Sequence, residues 1–297
     1  MLAPFLFMAL HRQSPAKVNL LLNVLGRRAD GFHELETVLQ PVPLCDELEL
    51  DRGGKDIQLT CSDPLLPTDS TNLVQRAAVA FLQTTRVAEG VKIHLVKRIP
   101  LAAGLGGGSG NAAGTLLGLN ELFGRPLSPE QLSELAASLG SDVPFFLQDK
   151  PALATGRGEK VEPLERFQAL RGVFVLLIHP GFGISTAWAY RTLASCPKAL
   201  PGQPGRARRL ILLLQSADLE AAAREFYNSL EAPALNKYPV LALFQEFLMA
   251  NGAAAALMSG SGSAIFALAK DQTAAEQLRE KFKARFGENL WTAVLPL

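Results

Sequence analysis

Between a strand-like run and a helix-like run the chain spells PLAAGLGGGSGNAAG, with glycines at 104, 106, 107, 108 and 110. No other stretch restricts the fold so tightly. A glycine in regular structure costs roughly 0.5–1 kcal/mol relative to alanine, so crowding them into one connection is a burden that a plain turn avoids. Two gains offset it. Bare backbone lets successive N–H groups approach an anion closely, and the start of the following helix adds partial positive charge. The run therefore predicts a strand–loop–helix unit that holds phosphate, with the Ser109 hydroxyl available to a phosphate oxygen or a bound Mg²⁺. A tight turn with no ligand is the plain alternative.

Phosphate loops come in several forms. The GxxxxGK[ST] loop needs a lysine after its glycines, and none follows here. Gly108, Gly110 and Ala113 meet the GxGxxG/A pattern loosely. A dinucleotide fold also needs an acidic residue ending a second strand about 20 residues on. Glu130 and Glu134 lie in that range, but they belong to SPEQLSELAASLG, which carries every mark of a helix. Ser128 is placed as N-cap, Pro129 at the first helical position, Gln131 as the partner in a capping box and Gly140 as the stop. The dinucleotide reading is set aside.

Around the loop, periodicity predicts alternating elements. KVNLLLNVLG (17–26) reads as a strand with Lys17, Asn19 and Asn23 on one face. ELELDRG and DIQLTCS read as further strands, NLVQRAAVAFLQTT as a helix, and VKIHLVKRI (91–99) as a half-buried strand running into Pro100. A helix is expected over NAAGTLLGLNELFG, ended by Gly124. VFVLLI (173–178) is an apolar strand that opens a second half, 201–209 a Pro/Gly/Arg-rich loop within it, and the tail a strand, helix and strand over SAIFALA, TAAEQLREKFKARF and LWTAVLP. A boundary near 165–172 divides the chain into domains of 1–168 and 169–297.

Bulk properties exclude several classes. The chain has 297 residues, 48% of them hydrophobic and 19% charged, which is globular composition with enough length for two ordinary cores. A formal net charge of +1 gives no electrostatic case for nucleic acid or an anionic membrane as main partner. Cys45, Cys61 and Cys196 are far apart and the four histidines are scattered, which predicts neither a disulfide framework nor a metal cluster and fits a reducing cytoplasm. The opening MLAPFLFMALHR is too short to span a bilayer and lacks a basic lead. It reads as a start at Met8 with a short strand leader.

PLAAGLGGGSGNAA closely resembles the PxxxGLGGGSSNAA loop of the GHMP kinase superfamily. SPAKVNLLLNVLGRRADGFHELETV resembles the opening of those members that act in the non-mevalonate isoprenoid pathway on a cytidine-diphosphate-linked methylerythritol. GSDVPFFL resembles the G-[AS]-D-V-P-x-F segment, and LMSGSGSAIFAL the C-terminal glycine motif, so that the resemblance runs from Ser14 to Leu268. One departure stands out, Gly110 where a second serine is usual; Phe32 replaces a common tyrosine but keeps an aromatic face.

The resemblance implies an α+β fold of two domains, the N-terminal one like ribosomal protein S5 domain 2 and the C-terminal one ferredoxin-like. It also implies an ATP- and Mg²⁺-dependent kinase that phosphorylates the 2-hydroxyl of the small-molecule acceptor; a cytoplasmic protein, a monomer or weak homodimer, is expected. Another GHMP kinase, for mevalonate, homoserine or a sugar, is the alternative. Lys17 and Asp142 match the catalytic lysine and aspartate, the aspartate as general base. Pro100, Leu101, Ala102, Ala103, Gly104, Leu105, Gly106, Gly107, Gly108, Ser109 and Gly110 match the nucleotide loop, with Asn72 either near the adenine or simply an N-cap. Asn19 is either near the reacting hydroxyl or simply a strand-end polar residue, Phe32 and His33 are expected on the cytosine, and Phe182 on the opposite face of that ring. No metal-ligating side chain is assigned.

Overall fold

A computed structural model describes residues 9–297; the reading of a start at Met8 falls outside the described residues. The chain folds as two compact units that exchange segments. The first takes the described residues up to Pro15 with 44–99 and 107–148, and the second takes 16–43, 100–106 and 149–297. Two long strands carry the chain from one unit into the other: β1 (Leu10–Arg27) and β2 (His33–Arg52).

In the first unit the end of β2 pairs antiparallel with β4 (Val91–Val96), which pairs in parallel with β3 (Ile57–Cys61). Helices α1 (Leu73–Thr85), α2 (Gly107–Leu122) and α3 (Pro129–Leu139) pack on one another. Alternation puts Leu48, Leu50, Ile93 and Leu95 on the buried face, where Phe81, Leu116 and Leu119 complete the core. Small residues set the closeness of that packing. A Cβ added at Gly114 or Gly118 would come within 2.8 or 2.9 Å of Leu48 or Leu50, so α2 sits against the sheet as only glycine permits. The predicted capping box on α3 is formed: the Ser128 hydroxyl accepts from the Gln131 amide and the Gln131 side chain accepts from the Ser128 amide.

The second unit adds a hairpin of β5 (Ala152–Gly156) and β6 (Lys160–Pro163), with β5 paired antiparallel to Leu35–Leu39 of β2. Beyond it come β7 (Phe174–His179), α4 (Thr186–Leu193), α5 (Arg206–Gln215), α6 (Leu219–Ala223), β8 (Tyr227–Asn228) and α7 (Glu231–Lys237). The chain ends with α8 (Pro239–Ala250), β9 (Ala255–Met258), β10 (Ile265–Ala269), α9 (Gln272–Phe286) and β11 (Trp291–Pro296). Strands β11, β7, β10 and β9 form an antiparallel sheet in that order. With α8 and α9 against it, this is the split βαββαβ arrangement of ferredoxin-like folds. Phe244 and Phe247 of α8 meet Phe282 and Phe286 of α9 in edge-on ring contacts that lock the two helices together. The α+β, two-part expectation is met.

Several expected boundaries move. Helix α2 begins at Gly107, inside the glycine run and ahead of the expected Asn111. The expected loop over 201–209 ends early, because Arg206 already opens α5. Its cause is remote in sequence: the Glu36 carboxylate on β2 accepts the N–H groups of Gly205 and Ala207, each at 3.2 Å, and caps that helix from outside.

Candidate active site

Within the second unit, a chain of hydrogen bonds fixes one lysine. Lys17 is only 2% exposed. Its ammonium donates to Asn19 Oδ1 at 2.6 Å and to the Gly104 carbonyl at 2.9 Å. The period of two on β1 puts Lys17 and Asn19 on one face, as expected, which is why two side chains two residues apart can meet. Asn19 Nδ2 donates in turn to Thr37 Oγ1 at 2.9 Å, and Thr37 donates to the Leu21 carbonyl. Asn23, predicted on the same face, serves another purpose: its amide donates to Glu36 and to the Gln203 carbonyl, tying down the lead-in to α5.

Gly104 is held on the other side by the C-terminal glycine motif. The Ser259 hydroxyl donates to its carbonyl at 3.0 Å. Gly104 has φ +77°, and a Cβ there would lie 2.1 Å from the Ser259 carbonyl oxygen, so both conformation and space demand glycine. A Cβ at Gly260 would lie 3.1 Å from Lys17 Nζ and 3.4 Å from Asn19 Oδ1. Asn228 secures this turn by donating to the Met258 and Gly260 carbonyls, both at 2.8 Å. Glu231 accepts the Met258 N–H at 2.8 Å and the Gln245 side-chain amide. Burial pushes the Glu231 carboxyl up to about 7 against these two hydrogen bonds.

The second unit also gathers aromatic rings. His33 lies 5.2 Å from Tyr190, centroid to centroid. Burial, with the Arg27 charge second, holds the His33 imidazole below the ordinary histidine range, so near pH 7 it is neutral and can both donate and accept. Phe32 is 51% exposed with the Arg157 guanidinium 4.6 Å from its ring centre. Its turn is fixed by Asp30, which accepts the Phe32 N–H, and by Arg28, which pairs with Asp30 and Glu34. Phe182 packs on Tyr238 at 4.8 Å, against the core of the unit. The ring that His33 meets is thus Tyr190, which periodicity alone did not single out.

In the first unit, α2 opens at Gly107 with Gly108 exposed and Ser109 half-buried. A Cβ at Gly107 would come within 3.3 Å of Lys97 Nζ and 3.1 Å of Ile99, so this end of the helix is bare backbone in a close-fitted surround. Such a terminus presents unpaired N–H groups and partial positive charge, which suits the phosphates of a nucleotide. Gly110 is buried, and a Cβ there would meet Ser14 Oγ at 2.8 Å and the Pro15 carbonyl at 2.9 Å. Asp142 is half-buried on the turn after α3, where Val143 N–H bonds to the Gly140 carbonyl and Pro144, Phe145 and Phe146 are buried beyond it. Asn72 caps α1 by accepting the Val74 N–H at 2.9 Å, and its amide donates to the Pro67 carbonyl. Among the described residues no group of three or more His, Cys, Asp or Glu is arranged to hold a metal ion.

Comparison with known proteins fits this geometry. The family model described as the GHMP kinases N terminal domain matches residues 72–150, and that of the GHMP kinases C terminal matches 209–288. A 4-diphosphocytidyl-2-C-methyl-D-erythritol kinase of Gloeobacter violaceus is 44% identical over 267 residues, spanning 89% of this chain and 87% of the relative. A Synechococcus protein of the same name is 41% identical over 278 residues, 91% and 88% of the two chains. The chain belongs to the 4-diphosphocytidyl-2-C-methyl-D-erythritol kinase family of GHMP kinases.

A crystal structure of such a kinase superposes with TM-score 0.78 at 37% identity, covering 97% of this chain and all of the other. A homoserine kinase from Cytophaga hutchinsonii shares the fold, with TM-score 0.74 at 21% identity. As a kinase of this family the chain uses ATP and acts on a small molecule. No helix among the described residues is long and apolar enough to cross a membrane. In this family context, sequence reasoning left out Thr37, Asn228, Tyr190 and Ser259 as supports of the site. Ser259 was visible only as part of a glycine motif, and Asn228 carried no local signal.

Proposed function

We propose that this chain transfers the γ-phosphoryl group of ATP to the 2-hydroxyl of 4-diphosphocytidyl-2-C-methyl-D-erythritol, a step in isoprenoid precursor synthesis. One observation carries the reading: a buried lysine ammonium is held between Asn19 and the first glycine of a phosphate-type loop. Phosphoryl transfer passes through a loose transition state, so the protein's work is positioning and charge stabilisation. Bound Mg²⁺ supplies neutralisation of phosphate charge. The N–H groups of Gly106–Ser109 hold phosphate oxygens, and the Ser109 hydroxyl adds a further polar contact. Lys17 stabilises charge on the transferring group, and Asp142 accepts the proton of the acceptor hydroxyl late in the step. Asn19 orients that hydroxyl.

His33 and Tyr190 support the reading of the acceptor. A neutral imidazole can hydrogen-bond the cytosine, and Phe32 and Tyr190 offer faces for stacking. In this account the enzyme works in the cytoplasm as a monomer or weak homodimer, with neither nucleic acid nor membrane as partner. An assay coupled to ADP release tests it, offering the cytidyl-diphosphate acceptor, homoserine, mevalonate and a sugar in parallel. Turnover is expected with the first alone. Asp142→Asn and Lys17→Ala should lower kcat by about 100-fold or more, the scale of a lost acid–base or charge-stabilising group. Near-normal turnover in folded Asp142→Asn would overturn the assignment of the base.

A further inference from the structure

Asp46, on β2 in the first unit, has 0% exposure and is the centre of a polar cluster that none of the proposed chemistry uses. One carboxylate oxygen accepts the N–H groups of Arg98 at 2.7 Å and Ile99 at 2.8 Å. The other accepts the Asn111 side-chain amide at 3.1 Å and pairs with the Lys97 ammonium, itself nearly buried. Arg98 and Ile99 lie past the end of β4, where the ladder no longer takes their N–H groups, and they are the last residues before Pro100. Asn111 stands in the opening turns of α2, just after the glycine run. Both stems of the loop are therefore tied to one carboxylate.

We propose that Asp46 is the positioning residue of the nucleotide loop, fixing the strand end that enters it and the helix that leaves it so that its amides are held ready for phosphate. The physical need is plain. A loop built of glycines has large conformational freedom, and amides that must be ordered at the moment of binding give up affinity. Anchoring both stems shortens the span that remains free, which is preorganisation from behind the site. The Lys97 ammonium balances the buried carboxylate, and it lies 3.3 Å from where a Cβ of Gly107 would be, so the same pair also packs against the first turn of α2. Asn111 is held a second time by Ser14, whose hydroxyl donates weakly to its side-chain oxygen at 3.4 Å.

The inference rests on the proposal that this loop binds ATP, so the test begins with titration of ADP and Mg²⁺ into the wild-type enzyme by calorimetry. Two variants follow. Asn111→Leu cuts the tie to α2 and leaves the Asp46–Lys97 pair in place. Asp46→Asn with Lys97→Met keeps an acceptor for the Arg98 and Ile99 N–H groups while removing both buried charges together. Each variant should weaken ADP and raise the KM for ATP about tenfold or more. The KM for the acceptor, and kcat at saturating ATP, should stay within about threefold of wild type. Hydrogen exchange should speed up in the peptide containing 100–110 and not in α3. A variant that melts cooperatively and binds ADP within twofold of wild type overturns the proposal. So does a parallel loss for ATP and acceptor, which marks a general structural role. Wild-type enzyme that binds ADP but fails to phosphorylate the cytidyl-diphosphate acceptor refutes the substrate reading alone, and ADP binding by the variants still decides the role of Asp46.

Discussion

Glu231 opens α7 with its carboxylate turned to the Met258 N–H, and its proton affinity is raised by burial from an ordinary 4.5 to about 7. A carboxyl that holds its proton more tightly folded than unfolded favours the fold while both states are protonated. That contribution is fully present below about pH 4.5 and is lost as pH rises through about 7. Each tenfold change in proton affinity corresponds to about 1.4 kcal/mol, so the displacement amounts to roughly 3 kcal/mol. Partial exposure of the residue screens some of it, and about 2 kcal/mol is the expected size. Glu231→Gln is the matched perturbation, because its side-chain oxygen can still accept from Met258 and Gln245. Urea unfolding of both proteins at pH 5, 6, 7 and 8 isolates this group in the difference between them. Stability of wild type relative to Glu231→Gln should fall by about 2 kcal/mol between pH 5 and pH 8, with unchanged m-values. Parallel stability curves for the two proteins would refute the reasoning.

Two other substitutions separate packing from chemistry. Gly110→Ser restores the residue usual in the family, yet its Cβ would crowd Ser14 and the Pro15 carbonyl. It should destabilise the protein by about 1–3 kcal/mol, read from urea midpoints, and an equal or higher midpoint contradicts the steric account. Tyr190→Ala should raise the KM for the cytidyl-diphosphate acceptor about tenfold, as loss of one stacking face implies, while the KM for ATP stays put. An unchanged acceptor KM would remove Tyr190 from the cytosine site.

The parts of this structure legible in the sequence are those whose causes are local. The α3 capping box needs only Ser128, Pro129 and Gln131 within one turn, and it forms as predicted. Lys17 and Asn19 meet because a strand alternates. What escaped reading depends on partners far along the chain. The start of α5 is set by Glu36, 169 positions before Gly205. Strand β4 stops at Val96, short of the expected Ile99: the Lys97 N–H goes to the Ser62 hydroxyl, and Asp46 takes those of Arg98 and Ile99 from over fifty residues away. The middle of β2 contains Pro41 and Pro43, which mask its strand character, although 33–52 is one strand. Interleaving of the two units has the same origin, since no local pattern marks 16–43 and 100–106 as belonging with the C-terminal half.

The central claim is that the bare amides of Gly106–Ser109 receive the phosphates of ATP. A crystal structure with a non-hydrolysable ATP analogue and Mg²⁺ tests it most directly. Phosphate oxygens are predicted within hydrogen-bonding distance of those N–H groups, about 2.7–3.2 Å. An analogue seated elsewhere, with the start of α2 turned away from its phosphates, would contradict the account.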